Sequence, residues 1–182
     1  MTVPPPPAGR VVFTGELVDT EATEALGRRL AGLLRAGDLL VLTGPLGAGK
    51  TTLTRGLGAG LRVRGQVASP TFVLARTHPS ESGVPLVHVD AYRLGGADEL
   101  DDLDLDYAGS VVVVEWGAGL LDGVAESWLD VVIERPTGAG GELGDDDDDI
   151  DDRDPDDVPD EPRRLTVTAH GPRWRDVPAL VP

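Results

Sequence analysis

The spacing of apolar positions changes several times along the chain, and each change marks an element. Arg10 to Gly15 is a short β-type run. From about Thr20 to Ala36 the apolar residues Ala22, Leu26, Leu30, Leu33 and Leu34 recur at three- and four-residue intervals. That spacing predicts an amphipathic helix, capped by Asp19 or Thr20 and ended by Gly37. Asp38 to Thr43 then carries Leu39-Leu40-Val41-Leu42, too apolar to leave a wet face, so a strand covered on both sides and parallel to its neighbours is expected. A glycine-rich turn, Gly44 to Gly49, leads into a second helix from Lys50 to about Leu61. Thr71 to Thr77 and Pro85 to Val89 read as strands joined by a turn at Ser80 to Gly83, a hairpin signal. Ala97 to Leu105 is a short acidic helix, Val111 to Val114 a second buried strand, and Trp128 to Glu134 and Arg164 to Ala169 two more strands.

Composition bounds what these elements build. At 182 residues and 40% apolar content, one domain with a single core is expected. No run approaches the roughly 18 apolar residues of a membrane span, and Met1 to Gly9 is proline-rich without the basic-then-apolar layout of a signal peptide. A cytoplasmic protein with no membrane association is the expectation. The absence of cysteine excludes disulfides, thiolate metal sites and thiol nucleophiles. The net charge of -16 is uneven: thirteen acids and one base lie between Glu142 and Glu161, which leaves the rest of the chain at -4. A segment with five successive aspartates, Gly and Pro cannot bury apolar surface. Residues 137–162 are therefore expected to be a disordered insertion between the last two strands. The domain itself would comprise 10–136 and 163–171, with proline-rich tails at 1–9 and 172–182.

Of the 16 basic residues 15 are arginine, and the one lysine is Lys50. It closes Gly44-Pro45-Leu46-Gly47-Ala48-Gly49-Lys50-Thr51, which fits the phosphate-loop pattern G-x-x-x-x-G-K-[ST]. Glycines let successive backbone N–H groups turn toward phosphate, and the helix behind the loop points its positive end at them. The lysine reaches the β- and γ-phosphates and the threonine hydroxyl ligates Mg²⁺. A buried strand before the loop and a helix after it supply the context the motif requires. With its lysine already committed, the chain has no [NT]-K-x-D motif for guanine, so GTP specificity of that kind is excluded.

Two carboxylates end apolar strands: Asp90 after Leu86-Val87-His88-Val89, and Glu115 after four valines. Such positions lie where ligands of open α/β sheets bind. Glu115 is the favoured general base or metal-side carboxylate, and Trp116 beside it is placed to pack on nucleotide or on a partner. On the residues alone, Ser69-Pro70-Thr71-Phe72 reads as an ordinary turn and His88 as a packed strand histidine.

Leu46-Gly47-Ala48-Gly49-Lys50-Thr51-Thr52, Ser69-Pro70-Thr71-Phe72, His88-Val89-Asp90-Ala91-Tyr92-Arg93-Leu94 and Glu115-Trp116, in this order and spacing, resemble the TsaE (YjeE) family over about residues 10 to 135 and 164 to 169. The resemblance implies an α/β P-loop NTPase fold of kinase-like topology, with a mostly parallel central sheet flanked by helices. It also implies a Mg²⁺-dependent ATPase that works with the TsaB and TsaD proteins. That complex places threonylcarbamoyl on the adenosine next to the anticodon in tRNAs reading codons that begin with A, and ATP hydrolysis resets it between turnovers. tRNA is then met only through the complex. Carried over, the resemblance puts the phosphate cradle on Gly44 to Thr52 and Mg²⁺ on Thr51 and Glu115. It puts a switch threonine on Thr71, an essential acid on Asp90 and the tryptophan on Trp116. Lys50, Thr71, Asp90 and Glu115 are the implied catalytic set. Adenine contacts fall near Thr20 and at Arg163 or Arg164, of which Arg164 is the site residue expected.

Two other readings share the fold. A small-molecule kinase would use Arg93 as a lid arginine, but the chain offers no obvious acceptor region. A nucleotide-gated binding module would dock its partner on ATP occupancy alone. Direct tRNA recognition is disfavoured by the negative charge and by the lack of a basic stripe with interleaved aromatics.

Overall fold

The computed structural model describes residues 9–70, 72–120, 124–135 and 161–181. Seven strands form one mixed sheet: β1 (Arg10–Leu17), β2 (Leu39–Thr43), β3 (Ala75–His78), β4 (Leu86–Asp90), β5 (Val111–Glu115), β6 (Trp128–Glu134) and β7 (Arg163–His170). Their spatial order is β1-β7-β6-β2-β5-β4-β3. The central four, β6, β2, β5 and β4, are mutually parallel. The margins are antiparallel: β7 and β1 on one side, β3 on the other. The fold is the expected α/β class, and the continuous apolar runs behave as read, with every residue of β4 and β5 buried.

Both sheet faces are covered. Against one lie α1 (Thr20–Ala31) and α2 (Lys50–Gly60), which enclose Leu26, Leu30, Leu53 and Leu57 with Leu40, Leu42, Val113 and Val131. Against the other, the short helix α3 (Ala97–Asp101) and its flanking loops cover Leu39, Val87, Val89, Val112 and Val114. Two glycines let the long helices touch backbone to backbone. A Cβ on Gly27 would come within 2.4 Å of the Leu53 carbonyl oxygen, and one on Gly56 within 2.2 Å of that of Glu24. Glu24 faces Gly56 and Ala31 faces Gly60, so α1 and α2 run in the same direction. The start of α1 therefore lies at the same end as the start of α2.

Several boundaries differ from the pattern reading, each for a local reason. Asp19 caps α1 as expected, accepting from the Ala22 N–H at 2.7 Å. The helix ends at Ala31 rather than Ala36, because Leu33 and Leu34 bond three residues back to Leu30 and Ala31 and tighten the last turn. β3 starts at Ala75 rather than Thr71, since the N–H groups of Val73 and Leu74 both turn back to the Pro70 oxygen. α3 stops at Asp101 rather than Leu105, followed by a turn with Asp104 at φ +48°.

Residues 172–181, expected as a tail, pack on the domain. Trp174 is buried, Val177 and Leu180 rest on the core, and the Leu180 N–H donates to the Val12 oxygen at 2.7 Å. Arg173 donates to both carboxylate oxygens of buried Asp38, each at 3.0 Å, fixing this segment to the amino end of β2. The expected tail at 1–8 and the insertion up to residue 160 lie outside the described residues. Among those described, no helix is long and apolar enough to cross a membrane.

Candidate nucleotide site

The loop between β2 and α2 is shaped by glycine. Gly47 and Gly49 have φ values of +72° and +104°, a region that L side chains rarely enter. Gly49 is also the N-cap of α2, so no side chain satisfies the first N–H groups of that helix, and its first turn holds no acidic residue. Those donors and the positive end of the helix dipole are left for an anion. Lys50 is buried against the loop and donates to the oxygens of Gly44 (2.9 Å) and Pro45 (3.0 Å). Its ammonium lies 4.0 Å from the centre of the Trp116 ring. Burial holds the Lys50 pKa below the usual lysine value, against an upward pull from Glu115 and Asp90.

The carboxylates arrive from the parallel strands beside β2. Asp90 and Glu115 stand opposite each other in the β4–β5 register, both at carboxyl ends and both buried. Glu115 Oε1 accepts from the Thr51 hydroxyl at 3.3 Å and lies 2.7 Å from His88 Nε2. Asp90 Oδ1 accepts from the Tyr92 N–H at 3.0 Å. The chain leaves β5 through Trp116 at φ +63°, which places its ring near that of Tyr92, with centroids 5.3 Å apart. Lys50, Thr51, Asp90, Glu115 and Trp116 are thus brought together as the sequence suggested. Thr52, also expected here, is buried. Thr20 opens α1, at the same end of the parallel helix pair as Thr52. Thr71 lies outside the described residues. Phe72 after it is almost fully exposed.

The expected adenine-side arginine is placed differently. In β7 burial alternates, so Arg163, Leu165 and Val167 face the interior while Arg164 is exposed. It is Arg163 that reaches the loop, with its Nη1 3.4 Å from where a Cβ on Gly49 would be. Arg135, absent from the sequence reading, follows β6 and brings Nη1 to 3.9 Å from the same point on Gly47. Glu161 holds it by an ion pair at 2.9 Å. The strand-end logic that selected Asp90 and Glu115, applied to β6, finds Arg135. His88 is a packed strand histidine as read, and it is also bonded to Glu115, which strand packing alone does not suggest.

The donor set suits a nucleotide triphosphate with Mg²⁺. Thr51 and Glu115 offer hard oxygens within 3.3 Å of each other, beside an anion-ready helix end. Among the described residues no cluster of three His, Asp or Glu forms a metal cage. Mg²⁺ asks for none, since it is held by one or two protein oxygens together with phosphate and water.

Comparison with known proteins gives one answer. Residues 17–140 match the family model described as threonylcarbamoyl adenosine biosynthesis protein TsaE. A Streptomyces coelicolor protein named tRNA threonylcarbamoyladenosine biosynthesis protein TsaE is 57% identical over 153 residues, 82% of this chain and 91% of that protein. The Bacillus subtilis protein of the same name is 37% identical over 160 residues, 86% of this chain and 85% of its own length. Among solved structures, the crystal structure of Bacillus subtilis YdiB superposes with a TM-score of 0.63 at 28% identity, covering 92% of this chain and 90% of that one.

Proposed function

Because the chain belongs to the TsaE family of tRNA threonylcarbamoyladenosine biosynthesis proteins, we propose that it is the Mg²⁺-dependent ATPase of that process. It acts in the cytoplasm with TsaB and TsaD, and its hydrolysis of ATP resets their transferase complex between turnovers. The observation that carries this reading is the convergence of Lys50, Thr51, Asp90 and Glu115 around one loop that ends in an uncapped helix.

In this mechanism the N–H groups of residues 47–51 and the Lys50 ammonium bind the β- and γ-phosphate oxygens. Lys50 exchanges its bonds to Gly44 and Pro45 for bonds to phosphate, and the Trp116 ring beneath it keeps water away. Thr51 and Glu115 would hold Mg²⁺, whose positive charge would offset the negative charge of the phosphates. Asp90, in register beside Glu115, orients the attacking water and takes up its proton as the water oxygen bonds to the γ-phosphorus and the bond from the β–γ bridging oxygen to that phosphorus breaks, releasing ADP. Arg163 and Arg135 bracket the other side of the loop, toward β6 and β7. Since Glu115 and Asp90 lie on the β5 and β4 side, the ribose and adenine extend toward these arginines, with Thr20 at the same helix end.

The side chains around the site support the role of the partners. Leu46, Phe72, Val73 and Tyr92 are exposed apolar groups borne by the phosphate loop and by the segments flanking Asp90. Large apolar side chains left exposed on these segments suit a surface that another protein covers. The experiment is ATP hydrolysis and tRNA modification measured with TsaB and TsaD present and absent, for the wild type and for Lys50→Ala. Stimulation by the partners that disappears in Lys50→Ala is expected. Equal activity in the two proteins would remove the reading.

A further inference from the structure

The imidazole of His88 is fully buried on β4, with Nε2 2.7 Å from Glu115 Oε1. The same oxygen takes the Thr51 hydroxyl at 3.3 Å. His88 Nδ1 is buried too, and has no hydrogen-bond partner among the described residues. We infer that His88 is a positioning residue of the nucleotide site, whose Nε2–H fixes the Glu115 carboxylate for Mg²⁺.

The chemistry assigns the donor. A carboxylate oxygen only accepts, so the short contact requires the hydrogen on Nε2. A hydrogen on Nδ1 would be a buried donor with nothing to receive it, which disfavours the other tautomer. Two hydrogen bonds from different elements then meet on one oxygen, His88 from β4 and Thr51 from α2. The carboxylate cannot rotate without breaking both. The register places Val113 of β5 beside His88, and Glu115 two residues further along the same strand. The sheet itself therefore sets the distance between imidazole and carboxylate. Groups that orient a metal's ligands in this way change metal affinity by roughly 10–100-fold when removed.

This inference rests on the proposed ATPase reading, and its test separates the two. ATP affinity is measured with and without Mg²⁺ by calorimetry for the wild type, His88→Gln and His88→Asn, with thermal melts to confirm folding. The glutamine amide reaches the place of Nε2, whereas that of asparagine reaches the place of Nδ1. His88→Asn should lose about tenfold or more of the Mg²⁺-dependent gain in affinity, and His88→Gln should keep most of it. Long-range ¹⁵N–¹H spectra of the wild type should show the Nε2–H tautomer. An Nδ1–H tautomer overturns the inference, and so does a folded His88→Asn with the wild-type Mg²⁺ response. A folded His88→Gln that falls as far as His88→Asn overturns it as well. If the wild type itself binds ATP with no response to Mg²⁺, the ATPase reading fails first and the inference falls with it.

Discussion

The phosphate loop is held in place by the contact between α1 and α2, and Gly56→Ala tests that support. Glycine to alanine in an exposed helix interior gains about 1 kcal/mol from helix propensity. Here the new methyl would sit 2.2 Å from the Glu24 oxygen and 2.8 Å from the Glu24 carbon atoms, all backbone, whereas ordinary contact begins at 3.4 Å. The helices must part by about 1 Å, and overpacking of this kind costs roughly 1–3 kcal/mol, or more where backbone must move. The steric cost outweighs the propensity gain, so a net loss of about 1–2 kcal/mol is expected. In a domain of this size that lowers Tm by about 2–8 °C. Gly27→Ala, with its 2.4 Å approach to the Leu53 oxygen, should cost a similar amount. Because either change already separates the same helices, the double variant should lose less than the sum of the two. Urea denaturation of the wild type, both single variants and the double variant measures this. A Gly56→Ala protein more stable than wild type, or strict additivity, would refute the argument.

The remaining predictions concern charge. Since Lys50 is the only lysine, a ¹³C-lysine spectrum follows its titration without overlap; the midpoint should lie below the usual lysine value, and Glu115→Gln, by removing an upward pull, should lower it further. The depressed value means that the folded chain holds fewer protons than the unfolded one between that value and the usual lysine pKa. The Lys50 contribution to stability should therefore rise with pH across that window and be least favourable below it, which denaturation at stepped alkaline pH can measure. Arg135→Ala should weaken ATP binding about tenfold, the loss of a hydrogen bond to a charged group, whereas Arg164→Ala should leave it unchanged by calorimetry. Arg173→Ala strands the buried Asp38 carboxylate and should cost about 2–4 kcal/mol in urea denaturation. Its ATP affinity should stay at the wild-type value, because Asp38 lies at the amino end of β2, away from the loop.

Much of this architecture could be read where one local rule decided the outcome. The four apolar residues of β2 and the four valines of β5 could only be strands covered on both faces, and the loop between β2 and α2 carries its own signature. Asp90 and Glu115 followed from standing at strand ends. The antiparallel pairing of β3 with β4 followed from the hairpin signal between them, but the other margin did not, because the placement of β7 between β1 and β6 depends on long-range pairing that no local spacing encodes. Arg163 was separable from Arg164 by the alternation of Arg163, Leu165, Val167 and Ala169 on the apolar face, a signal present in the residues but not used. The bond between His88 and Glu115 is a property of register between two strands joined through α3. The residues from Pro172 onward look like a tail because arginine and proline hide the single tryptophan that anchors them.

The central claim is that the site hydrolyses ATP in the service of its partners. Its most direct measurement is the steady-state ATPase rate of this chain with purified TsaB and TsaD, followed alongside tRNA modification, for the wild type and for Glu115→Gln. The isolated chain should hydrolyse ATP slowly and speed up markedly with both partners, and Glu115→Gln should lose turnover and halt modification after the first cycle. Rapid hydrolysis by the isolated chain that ignores the partners, or modification that continues through many cycles in Glu115→Gln, would contradict the claim.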